Sequence, residues 1–228
     1  MLTLKLGLSL NNIKTLGGWN PDDEASLEAW YKNKTGLLLS GSNVSKWDDS
    51  STNSYLMQQG TAGEQPTYEA STGAVTFDGS DDHLQLASGA ISLTGDFTIG
   101  MKVNVDSGLG VPLASNTAIG EFFRFTATNE LRIRIDNATA VNMTLLSGAW
   151  GLGYLVVTRL SGALNMYWNG ALQTSGVTTT LAGTADIDAL GVRRTDLNPY
   201  DGELYDVQVY SSTSTKLTAN VNSYLSSL

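Results

Sequence analysis

One histidine, His83, and no cysteine stand among the 228 residues. A histidine-based triad could use only that imidazole, and zinc sites of the usual His and Cys ligand sets are excluded. His83 sits in Asp82-His83-Leu84 beside an expected strand, where a plain edge histidine is the simpler reading. Carboxylates are more plentiful, with 22 Asp and Glu, and glycoside hydrolysis needs two of them held at a set separation across a sugar bond. Glu203 and Asp206 are three apart, which places them on opposite faces of a regular strand. Asp186 and Asp188 share a face but have no glutamate nearby. Gly17-Gly18 and Gly151-Leu152-Gly153 lack the lysine or helix that makes a phosphate loop.

Binding chemistry is better supplied. Sugar rings stack on exposed aromatics beside Asn, Asp and Arg side chains. The run Arg193-Arg194-Thr195-Asp196-Leu197-Asn198-Pro199-Tyr200-Asp201 gathers two cations, an amide, carboxylates and a ring. It is the leading carbohydrate-binding candidate, through Arg193, Arg194 and Asn198 with Tyr200 as the stacking ring. Trp150, between Gly148 and Gly151, is the next candidate ring. Trp30 and Trp47 read as core anchors, and Trp168 shares a strand face with Leu164 and Met166, so core is favoured there too. Arg132 and Arg134 lie on one strand face with Glu130 and Asp136, most simply a solvated sheet face.

The elements that must hold these residues read as β structure throughout. Glycine is abundant at 24 residues, proline sparse at 4, and charged residues make up 15% against a usual ~25%. Short strands recur at intervals of roughly ten residues from Val75 to Tyr210 with turn chemistry between them, the pattern of a sandwich or barrel. Leu27 to Tyr31 is an earlier strand, followed by a long turn-rich stretch that carries Trp47. Asn169-Gly170 joins Leu164–Trp168 to Ala171–Thr174 as a hairpin turn, since both residues accept positive φ. From Lys216 to Leu228 the apolar residues Leu217, Val221, Tyr224, Leu225 and Leu228 fall at helical spacing. The expectation is one all-β domain, a two-sheet antiparallel sandwich over 27–228 with a short C-terminal helix. Residues 1–26 form an N-terminal arm or edge strand, with Leu2, Leu4, Leu6, Leu8 and Leu10 on one face. Such an edge would pair with another chain unless covered, so a homo-oligomer through the arm is expected, or an extra strand on the domain's own sheet. The start has neither the basic opening nor the continuous apolar run of a signal peptide. A net charge of −9 argues against nucleic acid or an anionic membrane as partner.

Several fragments, in order, resemble the laminin-G-like domains of the concanavalin A-like lectin and glucanase superfamily. They are Trp47-Asp48-Asp49-Ser50, Gln65-Pro66-Thr67-Tyr68, Phe77-Asp78-Gly79-Ser80-Asp81-Asp82-His83-Leu84 and Asp96-Phe97-Thr98-Ile99. Leu164 to Gly170, Asp201 to Tyr210 and Asn222-Ser223-Tyr224-Leu225 follow. The resemblance implies a jelly-roll fold and a choice among lectins, glycosidases, lyases and non-catalytic modules. The hydrolases of that family carry Glu-x-Asp-x-Glu on one strand, and this chain has no such triplet. The lyase type needs a catalytic histidine and a Tyr-x-Lys strand, also missing. The expectation is therefore a non-catalytic module of a phage virion or cell-surface assembly that recognises glycan or a partner protein. A purely structural decoration protein is the alternative, and an enzyme with an atypical carboxylate pair the next. The resemblance also implies one cofactor, structural calcium. Asp206 is similar to the last-strand aspartate that binds it in related glucanases, with the Gly79 carbonyl and Asp82 as further ligands. Calcium takes roughly six to eight oxygens; the plainer alternative is that Asp78 and Asp82 are turn residues bonding their own backbone.

Overall fold

The computed structural model describes residues 18–105, 109–116, 122–136, 139–173, 180–193 and 196–228, without the side chain of Phe122. The leucine row at 2–10 and Arg194 lie outside the described residues. The first strands are β1 (Leu27–Tyr31), β2 (Leu37–Ser40), β3 (Asn43–Trp47), β4 (Met57–Gln58), β5 (Thr67–Glu69), β6 (Ala74–Asp78), β7 (Leu84–Leu86) and β8 (Ile91–Leu93). Longer strands follow: β9 (Phe97–Val105), β10 (Gly110–Ala114), β11 (Phe122–Ala127), β12 (Glu130–Arg134), β13 (Val141–Thr144), β14 (Leu152–Leu160) and β15 (Ala163–Trp168). The last are β16 (Ala171–Gln173), β17 (Ala185–Ile187), β18 (Ala189–Leu190) and β19 (Asp201–Tyr210), before one helix, α1 (Thr215–Ser226).

Every ladder is antiparallel, and two layers result. The back sheet runs β16-β15-β14-β9-β19, and the far edge of β19 is shared by β1 and by β6 with β5. The front sheet runs β13-β12-β11-β10-β18-β7-β4-β3-β2. A single pairing, Asn43 with Thr67, links the layers, and β8 and β17 form a separate small ribbon. Alternation fixes which side chains meet. Leu84, Leu190, Leu113, Phe123, Ile133 and Val141 form one cross-strand row of the front sheet, and all are buried in the main core. The next row along, pointing the other way, includes Gln85, Ala189, Ala114 and Arg134.

A second apolar cluster lies on the outer face of the back sheet, where α1 covers Trp30, Val156 and Tyr210 with Leu217, Val221 and Leu225. Ser214 caps the helix by accepting from the Leu217 N–H at 3.0 Å. Trp19 packs into the same cluster, 6.4 Å centroid to centroid from both Tyr210 and Tyr224. The folded body therefore begins at least as early as Trp19, eight residues ahead of the Leu27 boundary expected from sequence. Asn169 and Gly170 adopt φ of 49° and 78° at the expected hairpin. Trp168 opposite Ala171 closes it.

Candidate binding site

The outer face of the front sheet is where the fold gathers polar side chains. Cross-strand pairing sets Lys46 beside Gln58 and Gln58 beside Gln85. All three point away from the core because their neighbours Trp47, Met57, Leu84 and Leu86 fill it. Lys46, Gln58, Gln59 and Gln65 line a groove of about 370 Å³ with Ser40, Ser45 and Gly60. Gln65 is 7% exposed, donates to the Gln59 carbonyl at 2.7 Å, and has its own Oε1 buried without a hydrogen-bond partner. An unmet acceptor of this kind is filled by an ordered water or by a donor that reaches in from the groove. On the other side of Gln85 a second hollow of about 340 Å³ is lined by Ser88, Ser92, Ser115 and Asp186.

Three loops close over this face at one rim. Asn116 holds them together. Its Nδ2 donates to Gln85 Oε1 at 3.2 Å and to Asp196 Oδ1 at 3.0 Å, while its Oδ1 accepts from the Asp196 N–H at 3.0 Å. Its own N–H meets Asp188 Oδ1 at 2.5 Å. His83 lies beside them, with Nδ1 2.9 Å from the Asp81 carbonyl and Nε2 2.9 Å from Gln59 Nε2. A carbonyl only accepts, so Nδ1 carries the proton and Nε2 accepts from the amide. The edge histidine is thus a brace between β7 and the 59–61 turn.

The sequence-predicted loop divides on folding. Arg193 and Leu197 exchange backbone hydrogen bonds of 3.1 and 2.7 Å, and Arg193 Nε donates to Asn198 Oδ1 at 3.1 Å. Those two residues do come together, but they engage each other and clasp the loop. Asp196 and Asn198 take φ of 61° and 53°, a conformation that short Asx side chains tolerate. Tyr200 is not a surface ring. It is fully buried, donates to the Asn104 carbonyl at 2.9 Å, and stacks between Phe77 and Phe125 at 5.9 and 6.2 Å. Trp150 is likewise buried, 5.1 Å from Phe125 and 5.0 Å from Trp168. Both rings predicted to meet sugar are links in one aromatic chain that bridges the sheets.

The calcium set anchored on Asp206 is not assembled. Asp201 pairs with Asp78 at one end of the β6 ladder, and the Gly79 turn packs on Asp201. Asp206 lies five residues further along β19, roughly 16 Å away at the rise of a strand. Asp206 is also fully buried and already occupied. It accepts from Trp30 Nε1 at 3.1 Å, the Asn33 N–H at 3.0 Å and Gln208 Nε2 at 2.8 Å. Three donors aimed at a carboxylate leave no approach for a cation. Its alternation is also not that of a regular strand. The β19–β9 register slips between Leu204 and Asp206, and Leu204 and Val207 both face the core. Glu203 and Asp206 therefore lie on the same outer face, not on opposite ones.

Asp82 stands elsewhere, in a triad with Asp78 and Asp81 whose ligand oxygens fall within 4.8 Å of one another. Burial, then the charge of Asp78, pushes the Asp82 carboxyl up to about 6. Asp78 also bonds the turn it sits in, accepting from the Ser80 N–H at 2.8 Å. Asp82 accepts from the Asp78 N–H at 3.1 Å. The turn reading of these aspartates holds, and their oxygens are the hard donors a calcium ion would use.

A family model described as the concanavalin A-like lectin/glucanases superfamily matches residues 78–218. The chain belongs to that superfamily. Among superfamily-like folds, it is similar to domain 4 of AbnA, an extracellular GH43 arabinanase of Geobacillus stearothermophilus, solved with arabinotriose. The TM-score is 0.59 and the identity 17%, over 88% of this chain and 98% of that one. It is similar to the binding domain of Paraclostridial Mosquitocidal Protein 1 at a TM-score of 0.61 and 12% identity, over 91% and 53% of the two chains. Trypanosoma rangeli sialidase with 2,3-difluorosialic acid gives 0.57 and 15%, over 89% of this chain. The chain spans about a third of that sialidase, 33%. Comparison with curated protein sequences finds no match. The superfamily fold expected from the ordered fragments is the fold observed, and it occurs in enzymes and in binding domains alike.

Proposed function

We propose that this domain is a non-catalytic glycan-binding module whose site is the amide-lined groove on the outer face of the front sheet. One observation carries the reading. Gln58, Gln59, Gln65 and Lys46 line one groove, in whose wall a buried Gln65 oxygen lacks a donor. Side-chain amides both donate and accept, which matches the paired roles of sugar hydroxyls. The non-catalytic part is supported by the missing Glu-x-Asp-x-Glu triplet and by the state of the nearby acids. Asp188 is held by Ser115 Oγ and the Asn116 N–H, and Asp196 by Asn116. A setting in a phage virion or other surface assembly belongs to the same proposal and rests on the sequence resemblance. An exposed edge favours a partner protein as a second reading. Among the described residues strand β2 pairs only with β3 and leaves Leu38 and Leu39 54% and 41% exposed, an edge of the kind that accepts a neighbour.

Titration calorimetry against a panel of oligosaccharides, arabinotriose included, tests the proposal. The double variant Lys46→Ala/Gln58→Ala changes two half-buried side chains that lie outside the core, so its melting temperature should stay close to the parent's. Affinity should fall about tenfold or more, the loss of one to two good hydrogen bonds. Undiminished binding by the variant moves the site off this groove. Reducing-end release at an ordinary enzymatic rate, about 1 per second, removes the non-catalytic reading.

A further inference from the structure

Arg124 on β11 and Arg132 on β12 stand directly opposite one another. Both point outward, because Phe123, Phe125, Leu131 and Ile133 fill the inner face between them. Like charges opposite one another across a ladder destabilise a sheet, and free guanidiniums would splay apart into water. These two are held. Arg132 Nε donates to Asn142 Oδ1 at 2.9 Å, and Asn142 is its cross-strand neighbour on β13. Arg124 has its Nε buried with no hydrogen-bond partner. Burial, then the charge of Arg132, pulls its pKa below the usual arginine value. Among the described residues neither guanidinium has a carboxylate within 4.0 Å. The acid two residues along β12, Glu130, accepts from the Thr126 hydroxyl instead. Two close cations and a buried donor without an acceptor describe a site that lacks its anion.

We propose that Arg124 and Arg132, with Asn142 beside them, bind the carboxylate or sulfate of an acidic sugar within a mostly neutral glycan. The proposal rests on the glycan-binding reading and names the class of sugar. Planar guanidiniums present paired N–H groups that match the two oxygens of such an anion, and Asn142 offers an amide to an adjacent hydroxyl. The net charge of −9 disfavours a dense polyanion laid along the surface, whereas an isolated acidic group need meet only the local charge of the arginine pair, inside the screening length of about 8 Å. The arginine pair lies on the same outer face as the amide groove. Strand β11 is four strands from β4 and five from β3, about 19–24 Å at the spacing of a sheet, with the buried Ala189 and Ala114 on the strands between, so the arginine pair is a subsite set apart from the groove.

Calorimetry with uronate-bearing and sulfated oligosaccharides, each beside its methyl ester or desulfated form, decides the matter. The acidic form should bind the parent protein at least about tenfold more tightly than its neutral partner. Arg132→Gln and Arg124→Gln should each bring the acidic form down to the neutral affinity and leave the neutral affinity unchanged. Arg124→Gln should melt no lower than the parent, since the like-charge contact is gone; if it does melt lower, Arg132→Gln on its half-exposed position carries the comparison. Equal affinity for acidic and neutral forms overturns the arginine site and leaves the glycan groove standing. Silence from every oligosaccharide, charged and neutral, at millimolar concentration overturns both.

Discussion

At the scale of single residues, the buried carboxylate of Asp206 has the clearest measurable consequence. Burial raises its pKa from 3.8 to about 6, against the opposing hydrogen bonds from Asn33, Gln208 and Trp30. The folded state therefore holds the proton more tightly than the unfolded chain. The stabilisation is fully present below pH 3.8 and is lost as pH rises through 6. A rise of that size corresponds to about 3 kcal/mol. Asp206→Asn keeps an acceptor for Trp30 and Asn33 but cannot ionise. The stability of the parent relative to this variant should fall between pH 4 and 6.5, by about 3 kcal/mol at most. Asp82 titrates in the same sense, so the difference between the two proteins, rather than either curve alone, isolates Asp206. A difference in urea unfolding free energy that stays flat across that range would mean the carboxyl is not perturbed. The same residue shows what a sequence motif cannot carry. Its place before Val207-Gln208-Val209-Tyr210 suggested a metal ligand, yet three N–H donors fill it.

At the scale of elements, α1 depends on the absence of a side chain beneath it. Gly100 on β9 faces the helix, and a Cβ there would lie 2.5 Å from Val221 Cγ1 and 3.1 Å from Leu225 Cδ1. Both are methyl carbons of buried residues in the second cluster. Gly100→Ala should displace the helix and cost about 1–3 kcal/mol, the usual penalty for overpacking. Its loss should appear in the thermal melt. A variant as stable as the parent would show that the helix can shift without cost. The helix itself was legible in the sequence, since Leu217, Val221 and Leu225 recur at its period and Ser214 is a strong cap. Its partner was not. Nothing local marks Gly100 as the floor of a helix, because the contact joins residues more than a hundred positions apart.

At the scale of the whole molecule, the second cluster ties the segment from Trp19 to Ser26 to the last strand and the helix. Trp19 meets Tyr210 and Tyr224, Pro21 is buried, and the Ser211 N–H donates to the Ser26 carbonyl at 2.9 Å. A chain beginning at Gly18 should keep every one of these contacts. One beginning at Leu27 should lose about 3 kcal/mol from two aromatic pairs and the apolar surface around them. Urea midpoints of the two measure it. If they coincide, the segment from Trp19 to Ser26 does not belong to the folded body.

The sequence by itself determined the fold class, the strands from Val75 onward other than Ile91–Leu93 and Ala185–Ile187, the Asn169-Gly170 hairpin and the closing helix. Each rests on a short-range signal: alternation of period two, turn residues with positive φ, or apolar spacing near 3.6. The strands at Leu37–Ser40, Asn43–Trp47, Met57–Gln58 and Thr67–Glu69 escaped that reading, being short and set among turn residues. Their pairing comes from distant partners. The arginine row was seen as a face, with Arg132 and Arg134 outward. Only the ladder could add Arg124 from the neighbouring strand and set its charge against that of Arg132. Tertiary structure alone decided which rings and carboxylates remain available. Burial is a property of what packs above a residue, and so Tyr200 and Trp150 turned inward while four scattered residues, Lys46, Gln58, Gln59 and Gln65, became one groove.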